Sequence, residues 1–124
     1  MKDAYVPEYF EAQWQDRWDS DGIYAAQAAG EQPKFYVLEY FPYPSGAGLH
    51  VGHCRNYVPI DVLTRYKRMS GYNVLHPMGW DAFGLPAEQH AVRTGQHPRV
   101  TTGQNVKRYK EQLMALGLSY DWDR

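Results

Sequence analysis

The chain has 124 residues, the size of one small domain or part of a larger one, and is long enough to bury about two thirds of its unfolded surface if it folds alone. Hydrophobic residues make up 44% and charged residues 22%, an ordinary globular balance under which a folded chain, and not disorder, is the default expectation. With 13 Lys and Arg against 14 Asp and Glu, no single-sign field covers the surface, so any RNA contact must be local.

In chain order, Met1 to Pro7 has an early acid at Asp3 and no apolar signal core, and no stretch approaches the roughly eighteen apolar residues of a membrane span. Pro7 to Ser20 sets Phe10, Trp14 and Trp18 four apart, with Glu8, Glu11, Gln15, Asp16 and Arg17 around them. This predicts a short amphipathic helix opened by proline, its aromatic stripe packed inward. Asp21 to Pro33 has no period and reads as a connector. Lys34 to Phe41, "KFYVLEYF", is a β-rich run broken only by Glu39 and bounded by prolines, the look of a buried strand in a parallel sheet.

From Leu49 onward, Val51, Cys54, Val58, Val62, Tyr66 and Met69 recur three or four apart, which predicts a helix ended by Gly71, with a kink or restart near Tyr57 ahead of Pro59. "NVLHPMGW", Asn73 to Trp80, is a second candidate strand that Pro77 should end or roughen. A short helix follows over Pro86 to Arg93, stopped by Gly95. Thr101 or Thr102 is a candidate cap for the last helix, which lines up Val106, Tyr109, Leu113 and Leu116 and ends at Gly117.

The chemistry concentrates in "FPYPSGAGLHVGHCRNY", residues 41–57. A strand, a glycine-rich turn and a helix start form a physical recipe for holding phosphate, because small residues admit the anion and the helix start offers N–H groups and a positive dipole end. Gly46 and Gly48 supply room, and Gly52 leaves bare backbone on which a base or ribose can lie. His50 and His53 share a helical face and can donate hydrogen bonds to phosphate oxygens. No Gly-Lys-Ser/Thr follows, and Gly46-Ala47-Gly48 lacks the third glycine of the dinucleotide fingerprint. A metal is the rival ligand, but this pair and Cys54 are too few for a closed zinc site, and His76, His90 and His97 show no paired spacing. Cys54 is the only cysteine, which excludes an internal disulfide and fits a reducing cytoplasm. Asp81, read alone, is a turn or cap residue before Pro86.

Two segments resemble a known family. "PYPSGAGLHVGH", Pro42 to His53, is similar to the His-Ile-Gly-His signature of class I aminoacyl-tRNA synthetases, with Val51 in place of isoleucine. "GWDAFGLPAE", Gly79 to Glu88, resembles the form this region takes in leucyl-tRNA synthetases, and the likeness runs from about Pro7 to Arg124, including "YDWDR" at its end. The resemblance implies an α/β fold: the first half of a Rossmann-like (HUP-type) catalytic domain with parallel strands and flanking helices, spanning residues 1–124. It implies that ATP, as its Mg2+ complex, is held by Pro44, Ser45, Gly46, Gly48, His50, Gly52 and His53, the histidines serving catalysis as donors to the phosphates. Phe41, Tyr43 and Asp81 would hold leucine, Asp81 pairing with its ammonium. No resident metal or tightly bound cofactor is implied.

The reaction so implied is attack of the leucine carboxylate on the α-phosphorus of ATP, then transfer of leucine to tRNA(Leu), in a cytoplasmic protein that is a monomer in the full-length family and binds no membrane. The family's Lys-Met-Ser-Lys-Ser signature does not occur; "KRMSG", Lys67 to Gly71, lacks the second lysine. The second half of the Rossmann domain and the editing, zinc and anticodon-binding domains are likewise absent from these residues, so feeble adenylation is expected of the chain by itself. A different nucleotidyltransferase of the same superfamily would have no reason to carry "GWDAFGLPAE". A module that binds ATP or an acceptor stem without chemistry stays open.

Overall fold

The computed structural model describes residues 5–124; Met1 to Ala4, with the acid at Asp3, lie outside them. Six elements follow the predicted order: α1 (Pro7–Ser20), β1 (Lys34–Tyr36), α2 (Val51–Met69), β2 (Asn73–Leu75), α3 (Leu85–Thr94) and α4 (Pro98–Ala115). β1 and β2 pair in parallel, Lys34 opposite Asn73 and Tyr36 opposite Leu75, and α2 crosses between them as a βαβ unit. The ladder runs one bond further, Val37 N–H donating to the Leu75 carbonyl at 2.9 Å. A parallel bridge from Pro77 to Asp121 lays the "YDWDR" segment beside the end of β2.

The strand reading of residues 34–41 needs correction. Regular pairing stops at Tyr36, and beyond it the chain alternates: Val37 and Glu39 are buried while Leu38 and Tyr40 stand out, Tyr40 at 89% exposure. β2 is buried on both faces at Asn73 and Val74, but one face of β1 and its continuation is open, so the run is half-buried and not the doubly covered strand its hydrophobicity suggests. α2 does not restart near Tyr57. It runs unbroken through Pro59, which costs one hydrogen bond within a helix long enough to continue around it.

α1 has the bounds its pattern predicts, but its aromatic stripe is not buried. Phe10 is 46% and Trp14 47% exposed, and the helix has no buried residue. Trp18 alone is half-covered, edge-on to Tyr24 with the Arg65 guanidinium over its ring. Trp14 and Trp18 instead line an open groove of about 690 Å³ against Val58, Val62 and Leu116, which contains none of the candidate site residues. α4 begins earlier than a threonine cap allows. His97 caps it, its Nδ1 accepting Arg99 N–H at 3.1 Å, and Pro98 sits where a first-turn N–H is not needed.

The core is small: Tyr57, Met78, Leu113, Leu118 and Tyr120, with Leu49, Trp80 and Trp122 packed against it. It joins α2, the loop after β2, α4 and the final segment, so the packing centre lies directly beneath the glycine and histidine stretch. Within the predicted α4 stripe, Tyr109 and Leu113 are buried and Val106 half-buried, while Leu116 is 49% exposed. Leu113 has no exposed surface. Leu113→Ala is expected to lower unfolding free energy by about 3 kcal/mol through lost transfer energy and a residual cavity, measured by urea denaturation.

Candidate active site

The 42–49 loop leaves the end of β1 under tight constraint. Pro42 and Pro44 are buried, Ser45 N–H donates to the Tyr43 carbonyl at 2.8 Å, and the Pro42 carbonyl accepts Asp81 N–H at 3.1 Å. That last bond joins the two motif segments through backbone. Phe41 lies against Gly79, where an added Cβ would meet its ring at 2.7 Å, and the Tyr43 hydroxyl occupies the space a side chain on Gly84 would need. The loop of the first motif therefore packs its aromatics onto the glycines of the second.

His50 and His53 form the N-terminal cap of α2. Gly52 N–H donates to His50 Nδ1 at 3.1 Å, and His50 N–H donates to His53 Nδ1 at 3.1 Å, a reciprocal capping box built from imidazoles. The ring centroids are 4.0 Å apart. A Cβ on Gly52 would meet His50 Cε1 at 2.8 Å, so that glycine gives its bare face to the His50 ring. The expectation of free N–H groups at the helix start is thereby corrected: those of Gly52 and His53 are taken, the latter by the His50 carbonyl at 2.9 Å.

An Nδ1 that accepts from a backbone N–H cannot carry a proton. Both rings are therefore neutral with the proton on Nε2, and neither Nε2 has a hydrogen-bond partner among the described residues. His50 is exposed and His53 half-buried. Burial, and after it the neighbouring His50, lower the His53 pKa below its ordinary 6.5, and the positive end of the helix disfavours an imidazolium in the same direction. The pair can offer two fixed N–H donors toward one open face.

Asp81 is exposed, and its carboxylate makes no hydrogen bond among the described residues. Its neighbour Trp80, not Asp81 itself, reaches Tyr109 of α4, whose buried ring is edge-on to both Trp80 and His53, with centroids 6.4 Å and 5.8 Å away. Among the described residues no three His, Cys, Asp or Glu side chains gather as a metal site. Two polar contacts to the loop, and one to the chain just before it, escaped sequence reading. Asn105 Nδ2 donates to the Pro44 carbonyl at 2.8 Å, Gln112 Oε1 accepts Leu49 N–H at 2.8 Å, and Tyr57 OH donates to the Tyr40 carbonyl at 3.2 Å. Their signal was faint: Asn105 and Gln112 are polar residues flanking the apolar stripe of α4.

The family model for tRNA synthetases class I (M) matches residues 35–122. The chain belongs to the class I tRNA synthetases. Among curated relatives of this synthetase chain, a leucine--tRNA ligase of Chlorobium chlorochromatii is 60% identical over 92% of the chain and 14% of the relative. One of Cytophaga hutchinsonii is 58% identical over the whole chain and 13% of the relative. The chain thus spans about a seventh of the length of the relatives it matches. In three dimensions it matches LeuRS of Agrobacterium radiobacter K84, in a ternary complex with tRNA and LeuAMS, at a TM-score of 0.88 and 47% identity over 95% of this chain and 15% of that one. Mycobacterium tuberculosis methionyl-tRNA synthetase in complex with methionyl-adenylate matches at 0.68 and 31% identity, over 73% and 18%. The α/β architecture is therefore that of the Rossmann-like class I synthetase catalytic domain.

With its folded pKa below 6.5, His53 takes up a proton more readily in the unfolded chain. Its contribution to stability is full above pH 6.5 and falls away as pH drops from there through the folded value. Long-range proton–nitrogen NMR spectra should show Nδ1 unprotonated in both rings at pH 7 and the His53 midpoint below 6.5; an Nδ1–H tautomer in either ring contradicts the cap.

Proposed function

We propose that this chain is the ATP- and leucine-holding first half of a leucine-activating site, the amino-terminal part of the catalytic domain of a leucine--tRNA ligase. The observation that carries this reading is the histidine cap, which holds two neutral imidazoles with their Nε2–H groups unpartnered among the described residues, beside a loop of small residues. Relatives named leucine--tRNA ligase at about 60% identity support it.

ATP enters as its magnesium complex, a substrate, along Pro44, Ser45, Gly46 and Gly48, with Gly52 near the adenosine and the Nε2–H groups of His50 and His53 on phosphate oxygens. Leucine lies against Phe41 and Tyr43, its ammonium on Asp81. A leucine carboxylate oxygen then forms a bond to the α-phosphorus while the bond from that phosphorus to the bridging oxygen breaks. Pyrophosphate leaves with the electron pair. No proton has to move, so the imidazoles serve as oriented donors that meet charge as it grows on the phosphates. In the second step a terminal ribose hydroxyl of tRNA(Leu) forms a bond to the carbonyl carbon of leucyl-adenylate, the bond from that carbon to the phosphate oxygen breaks, and AMP leaves with the electron pair while the hydroxyl proton passes to its phosphate or to water.

A nucleotide in such a sheet lies across two halves, and these residues form one βαβ half. Binding without brisk turnover is the expected result. Calorimetry should detect ATP and a non-hydrolysable leucyl-adenylate mimic, while ATP- and leucine-dependent pyrophosphate exchange stays far below that of a complete synthetase. Indifference to leucine overturns the leucine reading, and rapid exchange overturns the half-site. Asp81→Asn should weaken binding of the adenylate mimic roughly thirtyfold, the loss of one charge-assisted bond worth about 2 kcal/mol, and leave binding of ATP alone unchanged.

A further inference from the structure

We propose that Gln112 and Asn105 of α4 are positioning residues for ATP, acting through the shape of the 44–49 loop; this rests on the ATP reading above. Residues 105, 109 and 112 are four and three apart, so they share one helix face. Each meets the loop at a different point. Asn105 Nδ2 holds the Pro44 carbonyl at 2.8 Å. The Tyr109 hydroxyl stands 3.4 Å from where a Cβ on Gly46 would lie. Gln112 Oε1 holds Leu49 N–H at 2.8 Å, one residue before the cap at His50.

The glycine pattern fits this arrangement. A Cβ on Gly48 would fall 2.8 Å from Gln112 Oε1 and 2.9 Å from its Nε2, so Gly48 leaves room for the Gln112 amide as well as for an anion. Gly48 also has φ +157°, a backbone conformation that L side chains rarely adopt. Tyr109 and Leu113 on the same helix are buried in or beside the core, whereas Asn105 and Gln112 use their amides on loop backbone. The two ends of the loop are thus tied to one rigid helix, with the anion-facing glycines between the ties.

Gln112→Leu keeps helix propensity and bulk and removes the acceptor for Leu49 N–H. In NMR titrations of the chain, ATP affinity should fall roughly fivefold to tenfold, the worth of about one buried neutral hydrogen bond. Leucine affinity, followed at the amides of Phe41, Tyr43 and Asp81, should hold, and Leu49 amide exchange should accelerate. Gln112→Glu retains the acceptor and should retain Leu49 protection. Asn105→Ala gives an independent reading at the other tie, again lowering ATP and sparing leucine. Unchanged ATP affinity in both Gln112→Leu and Asn105→Ala, or equal loss of both ligands, overturns the positioning role. If the parent chain binds no ATP, the functional reading fails and the positioning role falls with it, even where Leu49 exchange still responds to Gln112→Leu.

Discussion

The start of α2 is closed by the side chains of its own two histidines, His50 and His53. Most anion sites at helix ends leave backbone N–H groups free. Here the backbone donors of Gly52 and His50 go to the Nδ1 atoms of His50 and His53, and the donor capacity passes outward to the opposite edge of each ring. Cap and outward donors are then one structural unit. The cap sets the tautomer, the tilted contact of the rings at 4.0 Å sets the relative aim of the two Nε2–H bonds, and burial with mutual proximity lowers the His53 pKa. Donors fixed in advance need little reorganisation when negative charge develops beside them, the condition under which electrostatic stabilisation is strongest.

A buried polar cluster fixes where that unit sits. Glu39 Oε1 accepts from Tyr120 OH at 2.6 Å and pairs with His76 Nε2 at 2.9 Å, and the His76 and Tyr120 rings lie 4.4 Å apart. Burial, then the bond to Glu39, push the Tyr120 phenol far above its ordinary value, so it stays a donor. Glu39 follows β1, His76 follows β2, and Tyr120 belongs to the segment bridged to Pro77. Three chain segments at the carboxyl edge of the sheet are thereby pinned to one carboxylate oxygen. Such a cluster is costly to desolvate and costlier to break, since removal of one member strands the others. The segments that diverge just beyond it, Phe41 to Tyr43 and Trp80 to Asp81, emerge where ligands bind in sheets of this kind.

Element order, α1, α2 and the end of α3 were legible because they depend on local chemistry: a helical apolar period, a proline at the start, a left-handed glycine at the stop. What failed depended on coverage. The run after Lys34 is as apolar as a doubly buried strand, and hydrophobicity alone does not say whether a second layer exists; with one face open, Tyr36, Leu38 and Tyr40 are exposed. The α1 aromatics failed for the same reason. In the site, His50, His53 and Asp81 stood out by residue type and motif. Asn105 and Gln112 did not, because an amide bonded to backbone 61 or 63 positions away leaves no local trace and shares its spacing with solvent-facing residues.

Glycine was the most visible signal and the one whose meaning changed most. Near a phosphate loop the simple physical reading is room for an anion. Yet Gly52 faces His50, Gly79 faces Phe41, Gly84 faces Tyr43 and Gly48 faces Gln112. In each case the missing Cβ is replaced by a side chain of the same chain, brought against backbone closer than any other residue would permit. Close seating removes rotamer freedom from those side chains, and a side chain already ordered costs less to use in binding. The glycines shape the walls of the cleft at least as much as its volume, so a substitution there would act first by displacing the ring or amide seated on it and only then by obstructing a ligand.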